Sequence, residues 1–487
     1  MKSERCDVIL VQPNIVSPYK IYNLPFGPLF LASALKKNGF KVKIFDDRFD
    51  DRKDLEEIIR KNNLLYIGMT VFTGPIIRGA LELCKFIKNV DSSVPIVWGG
   101  PHPSILPEQT IAHPLVDMVF RGEGESASVE LAKALKKGEG LERIRGLTFE
   151  RGGNILSNPE RTEINEWDRD VSMSLDLIDL NRYIFDYNGM KSLHIITSKG
   201  CPFRCSFCWN LLCTKKVYRA WSIRKMKKEL SPILDAGVKN VILNDAFMGT
   251  PRRVTEMAHF FKDNGLAWSI EDGFRVDVHG TNEGLFKILK ETGCHHASFG
   301  AESGSQRMLD ILKKDIKVEQ IVNSARIAHK NGIGVKYSWM IGMPHETKKD
   351  ALMTVRIIDK INRLAPGTAH SMSFFSPYPG SELYQYALKH GWEAPKRLED
   401  WSYFREEMKY PYLRDMWFYK SVMYSNFFIH ATNSENAIWK QTKPLYTCLL
   451  KLLCRTSTIR WKTRGFDLPI EYFVGEALRK RAKNWLE

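Results

Sequence analysis

Three cysteines, Cys201, Cys205 and Cys208, occupy the run Gly200-Cys201-Pro202-Phe203-Arg204-Cys205-Ser206-Phe207-Cys208-Trp209, a C-x-x-x-C-x-x-C spacing. Sulfurs this close on the chain cannot all satisfy disulfide geometry, but they can point into one loop and hold one metal centre. Their number carries the chemical information. A structural zinc site or an electron-transfer 4Fe–4S cluster takes four protein ligands, whereas three leave one iron with an open position for a small molecule. Cys213, five residues beyond Cys208, keeps a four-cysteine zinc knot or a fully ligated cluster open as alternatives. The usual zinc pattern of two separated C-x-x-C pairs is absent.

The cysteine run follows an apolar segment, His194-Ile195-Ile196-Thr197, that reads as a strand. Six strand candidates recur with helices between them, at 192–198, 239–244, 267–272, 295–300, 333–341 and 368–375, which predicts a partial six-stranded (β/α) barrel. Barrels of this kind carry function at the strand C-termini. Those ends hold the cysteine run, Asn244-Asp245-Ala246-Phe247, Arg275-Val276-Asp277, Gly300-Ala301-Glu302-Ser303-Gly304, Gly342-Met343-Pro344-His345-Glu346-Thr347 and Pro377-Tyr378-Pro379-Gly380-Ser381.

Upstream, short apolar strands at 7–11, 41–45, 64–70, 95–98 and 118–120 alternate with helical patterns at 28–38, 54–61 and 75–88. This alternation predicts an α/β fold with a doubly wound parallel sheet, whose ligands bind beyond the strand C-termini. The loops there are Thr70-Val71-Phe72-Thr73-Gly74, Gly99-Gly100-Pro101-His102-Pro103 and Arg121-Gly122-Glu123-Gly124-Glu125. A hairpin around Gly152-Gly153 and an irregular linker follow. The expected organisation is a sheet domain at 1–145, hairpin and linker at 146–190, the barrel at 191–389 and a helical region at 390–487.

Composition bounds the class. A chain of 487 residues, 44% of them hydrophobic, is long enough for about three domains. Nine cysteines, six of them outside the three-cysteine motif and without paired spacing, argue for a reducing compartment. The polar N-terminus lacks a signal-peptide core and no apolar run has the length of a membrane span, so a cytoplasmic protein is expected. The net charge of +16 is spread along the chain without a nucleic-acid motif, and no nucleic-acid partner is expected.

The three-cysteine motif resembles that of the radical S-adenosylmethionine (SAM) enzymes, and the six barrel-loop segments, in order from Ser192 to about Leu388, look like those of the subgroup with N-terminal cobalamin domains. The three loops between residues 5 and 140 are similar to the cobalamin-binding domain of that subgroup. The D-x-H-x-x-G motif that supplies a histidine to cobalt in many cobalamin proteins is absent, the corresponding loop reading Asn23-Leu24-Pro25-Phe26-Gly27-Pro28-Leu29. The resemblance implies that Cys201, Cys205 and Cys208 ligate a 4Fe–4S cluster whose free iron takes SAM. It places Phe207, Asp245, Arg275, Glu302, Ser303, Gly342 and Pro344 around SAM, with Phe207 near the adenine and Arg275 facing the carboxylate. A solvent salt bridge is the plain alternative for Arg275, and a helix N-cap for Asp245. It places Thr70, Thr73, Gly99, Gly100, His102, Gly122 and Glu123 around cobalamin.

The chemistry implied by the resemblance is a 5′-deoxyadenosyl radical that takes hydrogen from an unactivated carbon, followed by methyl transfer from cobalamin, with an electron donor such as ferredoxin or flavodoxin. Relatives with the same domains perform cyclisation or oxidation without net methylation, and a non-catalytic cobalamin or metal sensor is a third reading. No acid/base catalytic residue is assigned.

Beyond residue 390 the pattern is helical and dense in aromatics, with a nearly continuous apolar run at Leu445–Cys454 flanked by Lys440, Lys443, Arg455, Arg460, Lys462 and Arg464. Helical packing over the open side of the barrel is the plain expectation. The sharper one is a basic interfacial segment that meets an anionic membrane and admits a lipid-like substrate, so the expected partner is a small-molecule or lipid-like substrate.

Overall fold

Runs that are apolar at every position, rather than alternating, form strands covered on both faces, as at Val8, Ile9, Leu10 and Val11, all buried in the strand Val8–Gln12. A computed structural model of the chain describes residues 5–15, 23–162, 165–404, 410–431 and 444–483. They divide into two units, one comprising 1–202, 209–239 and 393–408 and the other 203–208, 240–392 and 409–487.

In the first unit, β1 (Val8–Gln12), β2 (Val42–Asp46), β3 (Tyr66–Thr70), β4 (Ile96–Gly99) and β5 (Met118–Phe120) form a parallel sheet in the order β2-β1-β3-β4-β5. Helices Phe26–Lys37, Arg52–Lys61, Ile76–Val90 and Glu125–Lys137 cross between them. The helix expected from Pro28 starts at Phe26, and Pro75 is the N-cap of its helix rather than a first-turn residue. Leu35, Ala132 and Leu131 pack with Val8, Leu10, Tyr66 and Val97 in one core. The hairpin β6 (Leu147–Arg151) and β7 (Asn154–Ser157) continues this sheet, pairing antiparallel on the β5 edge.

The strand expected at 192–198 is divided. β8 (Phe185–Tyr187) and β9 (Met190–Ile195) make an antiparallel pair, while β10 (Ser198–Lys199) pairs with β11 (Arg219–Ala220). Gly200 then turns with φ +85°, where an added Cβ would lie 2.0 Å from the Val217 carbonyl oxygen. Only glycine leads into the cysteine run there.

In the second unit β12 (Asn240–Leu243), β13 (Ala267–Phe274), β14 (Cys294–Glu302), β15 (Gly334–Ile341) and β16 (Ala369–Phe374) are parallel and follow one another in sequence order. Helices Pro251–Asp263, Glu283–Glu291, Val318–Lys330 and Lys348–Leu364 connect them. This is the curled sheet of a partial barrel, and the fold class is the expected one. Rings from successive strands stack within it, Phe299 on Tyr337 at 5.6 Å and Tyr337 on His370 at 6.1 Å, while Phe274 stacks at 4.3 Å on His279 of the turn that follows β13.

Three helices follow, Met416–Ala431, Pro444–Thr463 and Ile470–Lys483, joined through Phe428, Leu453, Tyr424 and Val474. They are fastened to the barrel helix Lys348–Leu364 at Asp359, which accepts hydrogen bonds from Trp461 Nε1 and Arg464 Nη2, each at 2.6 Å. Among the described residues no helix is long and apolar enough to cross a membrane.

Candidate functional site

Cys205 and Cys208 sit on a short loop that is held from both sides. Ser206 donates from its backbone to the Leu312 carbonyl (2.9 Å) and from its hydroxyl to Ile311 (3.1 Å), while its own carbonyl accepts from Leu383 (3.0 Å). Phe207 packs against the buried cluster of Met308, Leu312, Met343, Phe375 and Leu383. Cys205 is buried, and Cys201, Cys208 and Cys213 are half-buried. Among the described residues no three His, Cys, Asp or Glu side chains are gathered closely enough to hold a metal ion between them.

Two buried cations surround Cys205. Arg275, at the end of β13, grips Asp277 through two nitrogens (3.0 and 3.1 Å), donates to the Lys314 carbonyl at 2.5 Å, and holds Nη1 4.0 Å from Cys205 Sγ. Its guanidinium also lies 3.5 Å from the centre of the Phe203 ring. A side chain so enclosed is not a solvent salt bridge.

Lys314, which no sequence motif marks, pairs with Glu302 at 2.7 Å and stands 5.8 Å over the Phe207 ring. Burial works against its charge, but Glu302 and the adjacent Cys205 sulfur overcome that, so its pKa lies above the ordinary lysine value. Glu302 adopts φ +63° at an irregularity in the β14–β15 register. That conformation is uncommon for a side-chain-bearing residue and turns its carboxylate back toward Lys314. Cationic groups beside a cysteine stabilise the thiolate that iron requires. Sulfur donors with cations beside them suit a cluster, whose irons each take one cysteine, rather than a single metal ion.

The neighbouring segments divide the remaining expected residues. Ser303 is turned away from Glu302, its hydroxyl accepting from the Ser305 N–H (3.2 Å) beside Thr354. Asp245 is fully buried at the end of β12, and it is not the N-cap of the following helix, a place taken by Thr250. Gly342 has φ +73°, and a Cβ there would meet the Phe374 ring at 2.7 Å, so this turn must be glycine. Pro344 is buried in the same loop. Glu346, another residue not singled out from sequence, closes the loop by accepting from the Gly342 and Met343 N–H groups (2.6 and 3.2 Å). Its other oxygen is buried without a partner, and burial pushes its carboxyl up to about 8.

In the first unit a cavity of about 120 Å³ opens at the C-terminal end of the parallel sheet. Thr70, Gly99, Gly100 and Gly122 line it together with Gly27, Gly68, Gly124, Glu125 and Lys199. Walls of glycine and apolar side chains, at the switch point of a 2-1-3-4-5 sheet, are where such a fold takes a flat organic group. Cβ atoms would crowd this place: at Gly100 one would lie 2.9 Å from the Val71 carbonyl oxygen. The cavity fits part of a large organic cofactor.

Thr73, His102 and Glu123 do not line it. His102 is fully buried, with Nδ1 3.0 Å from Thr73 Oγ1 and its ring edge-on to Trp401 at 5.7 Å. Burial lowers its pKa to about 4, so it is neutral at physiological pH. Glu123 instead joins Arg219 (2.5 Å), Asn165 (3.1 Å) and Lys199 (3.4 Å). Burial opposes its charge, yet the two cations hold its carboxyl down to about 2. Lys199 reaches this cluster and the cavity wall from two residues before Cys201. That position directly ahead of the cysteine run is the one signal by which the sequence could have marked it.

A flavodoxin-like sheet with a glycine-lined cavity at its C-terminal end, followed by a partial barrel with three cysteines in its first loop, defines an enzyme that combines an organic cofactor with an iron–sulfur centre. Comparisons agree: residues 16–132 match the B12 binding domain, and residues 195–358 match the radical SAM superfamily. The chain is 33% identical to the uncharacterized methyltransferase PH0819 of Pyrococcus horikoshii over 369 residues, covering 75% of this chain and 78% of that protein. It is 25% identical to the anaerobic magnesium-protoporphyrin IX monomethyl ester cyclase of Rubrivivax gelatinosus, covering 74% of this chain and 66% of the relative. In fold it is similar to the cobalamin-dependent SAM radical enzyme OxsB with aqua-cobalamin bound, with a TM-score of 0.74 at 18% identity, over 94% of this chain and 73% of that one.

The chain belongs to the radical SAM family whose members carry an N-terminal B12-binding domain. It is an enzyme whose cofactors are a 4Fe–4S cluster, SAM and cobalamin.

Proposed function

We propose that the protein transfers a methyl group to an unactivated carbon of a small molecule, with Cys201, Cys205 and Cys208 as the cluster ligands. The observation that carries this reading is the pairing of a glycine-lined cavity at the sheet C-termini with a cysteine loop flanked by buried cations. SAM at the reduced cluster supplies a radical able to take hydrogen from carbon, and cobalamin supplies the methyl group.

The chain's own residues have positioning work to do. Ser206 and Phe207 fix the cysteine loop and exclude water from it. Arg275 and Lys314 place positive charge beside Cys205, and Lys314 orients Glu302 for an ammonium or a hydroxyl of SAM. Glu346 and Gly342 shape the backbone of the next loop. The electron comes from a protein donor such as ferredoxin or flavodoxin. The apolar exterior of the C-terminal helices favours a lipid-like acceptor met at a membrane surface.

The similarity to the magnesium-protoporphyrin ester cyclase supports cyclisation or oxidation as the second reading. The two differ in products. Anaerobically reconstituted protein, incubated with methyl-labelled SAM, a reductant and a cell extract, should yield S-adenosylhomocysteine, 5′-deoxyadenosine and a labelled acceptor. Formation of 5′-deoxyadenosine alone, with no label transferred, would overturn methyl transfer in favour of the second reading.

A further inference from the structure

A helix that only packs on a barrel turns its apolar face inward and leaves a polar face in water. Helix Pro444–Thr463 does the first: Leu453, Ser457 and Trp461, spaced by four, are buried. It does the second only in part, since Leu452 and Ile459 stand exposed among Lys451, Arg455, Lys462 and Thr463. Its outward stripe runs Leu452, Arg455, Ile459, Lys462, alternating apolar and basic at spacings of three and four, with Leu452 and Ile459 57% and 62% exposed. Among the described residues, every large apolar side chain more than 45% exposed lies between Trp417 and Phe473. Trp417 and Phe473 touch at 5.3 Å, and Lys420 lies over the rings of Tyr472 and Trp417 at 4.1 and 5.2 Å.

Residues 410–487 contain thirteen Lys and Arg against six Asp and Glu. Exposed aromatic and aliphatic groups interleaved with cations are the chemistry of a protein surface seated at the headgroup level of an anionic bilayer. A second copy of the chain is a poorer partner, because a two-fold contact would set the same basic stripe against itself. We infer that the C-terminal helices dock on anionic lipid through the Leu452–Arg455–Ile459–Lys462 stripe, with Trp417 and Phe473 as additional apolar contacts. This rests on the lipid-like acceptor proposed above for its biological setting, but the binding itself requires no turnover.

The test is co-sedimentation of the full-length cofactor-loaded protein, without SAM or acceptor, with vesicles of phosphatidylcholine alone or mixed with phosphatidylglycerol. Binding is expected to the anionic vesicles only and to weaken as salt is raised. R455E/K462E and L452S/I459S, all at exposed positions, should each bind at least tenfold more weakly while keeping wild-type iron and cobalamin content. Binding without anionic preference, no binding, or variants that bind like wild type would overturn the inference. So would self-association that L452S/I459S abolishes, which would assign the face to a second copy. Because no acceptor is used, a negative result here leaves methyl transfer standing, and failed methyl transfer leaves the docking result standing.

Discussion

Lys314 Nζ lies 2.7 Å from Glu302 Oε1, with both side chains about one-tenth exposed, and the same lysine's carbonyl receives the guanidinium of Arg275. One residue thus fixes the anion of one barrel loop and the cation of another. A buried pair of this kind adds little net stability, but removing one member leaves an uncompensated charge. Lys314→Met should lower stability by about 3 kcal/mol, and adding Glu302→Gln should restore most of it. Chemical denaturation of the cofactor-free protein at pH 7 measures both, and equal losses in the single and double variants would contradict the pairing.

Arg275 is the formal positive charge 4.0 Å from Cys205. Arg275→Gln should make the cluster harder to reduce, because the extra electron would lose a nearby cation. The midpoint from a potentiometric titration followed by electron paramagnetic resonance should move to more negative values. An unchanged midpoint at full iron content would show that the guanidinium serves only Asp277 and Phe203.

The ligand count can be tested directly. Cys201→Ala, Cys205→Ala and Cys208→Ala should each abolish the 4Fe–4S content of reconstituted protein, whereas Cys213→Ala should retain it. Iron and sulfide analysis decides this, and loss of the cluster in Cys213→Ala would revive a fully ligated centre.

Glu346 supplies a pH dependence. Its folded pKa of about 8 lies above the ordinary carboxyl value, so between roughly pH 4.5 and 8 the unfolded chain has released a proton that the folded chain keeps. Its contribution to stability is full below that window and is lost as pH rises through it. Glu346→Gln should therefore flatten the fall of the thermal midpoint from pH 5 to pH 8 relative to wild type. The comparison matters because His102 and His279, both lowered to about 4 by burial, act in the opposite direction up to about pH 6.5. Parallel midpoint curves for the two proteins would exclude a buried neutral carboxyl.

Gly99 tests the sheet cavity. A Cβ there finds nothing nearer than 3.7 Å, so Gly99→Ala should bind cobalamin like wild type, while Gly99→Leu should fill the cavity and bind at least tenfold less. Absorbance of the corrinoid after gel filtration gives the occupancy, with circular dichroism confirming the fold.

The two sheets were legible because hydrophobic period and strand length are local properties, and the cysteine run because ligand spacing is local as well. The division of the expected 192–198 strand was hidden, since β10 leaves its line to pair with Arg219–Ala220, a partner some twenty residues away. Lys314 and Glu346 were hidden for a related reason. Nothing in Lys313-Lys314-Asp315 or in Pro344-His345-Glu346 distinguishes a surface charge from one enclosed by distant chain. Only the positive φ of Glu302 and the burial of Glu346 reveal their roles. His102 shows the converse. The resemblance places it around cobalamin, while in the fold its ring meets Thr73 and Trp401.

Asp359 gives the protein a limit on its modularity. Its two oxygens take up Trp461 and Arg464, so the last helices are stitched to a connecting helix of the barrel rather than appended to it. A shortened chain ending near residue 400 would leave that carboxylate without these donors and uncover the face on which Trp461 and Phe466 are buried. Lineages that exchange this tail for another should therefore change position 359 in the same step, and dissection of the enzyme should keep the barrel and the C-terminal helices as one piece.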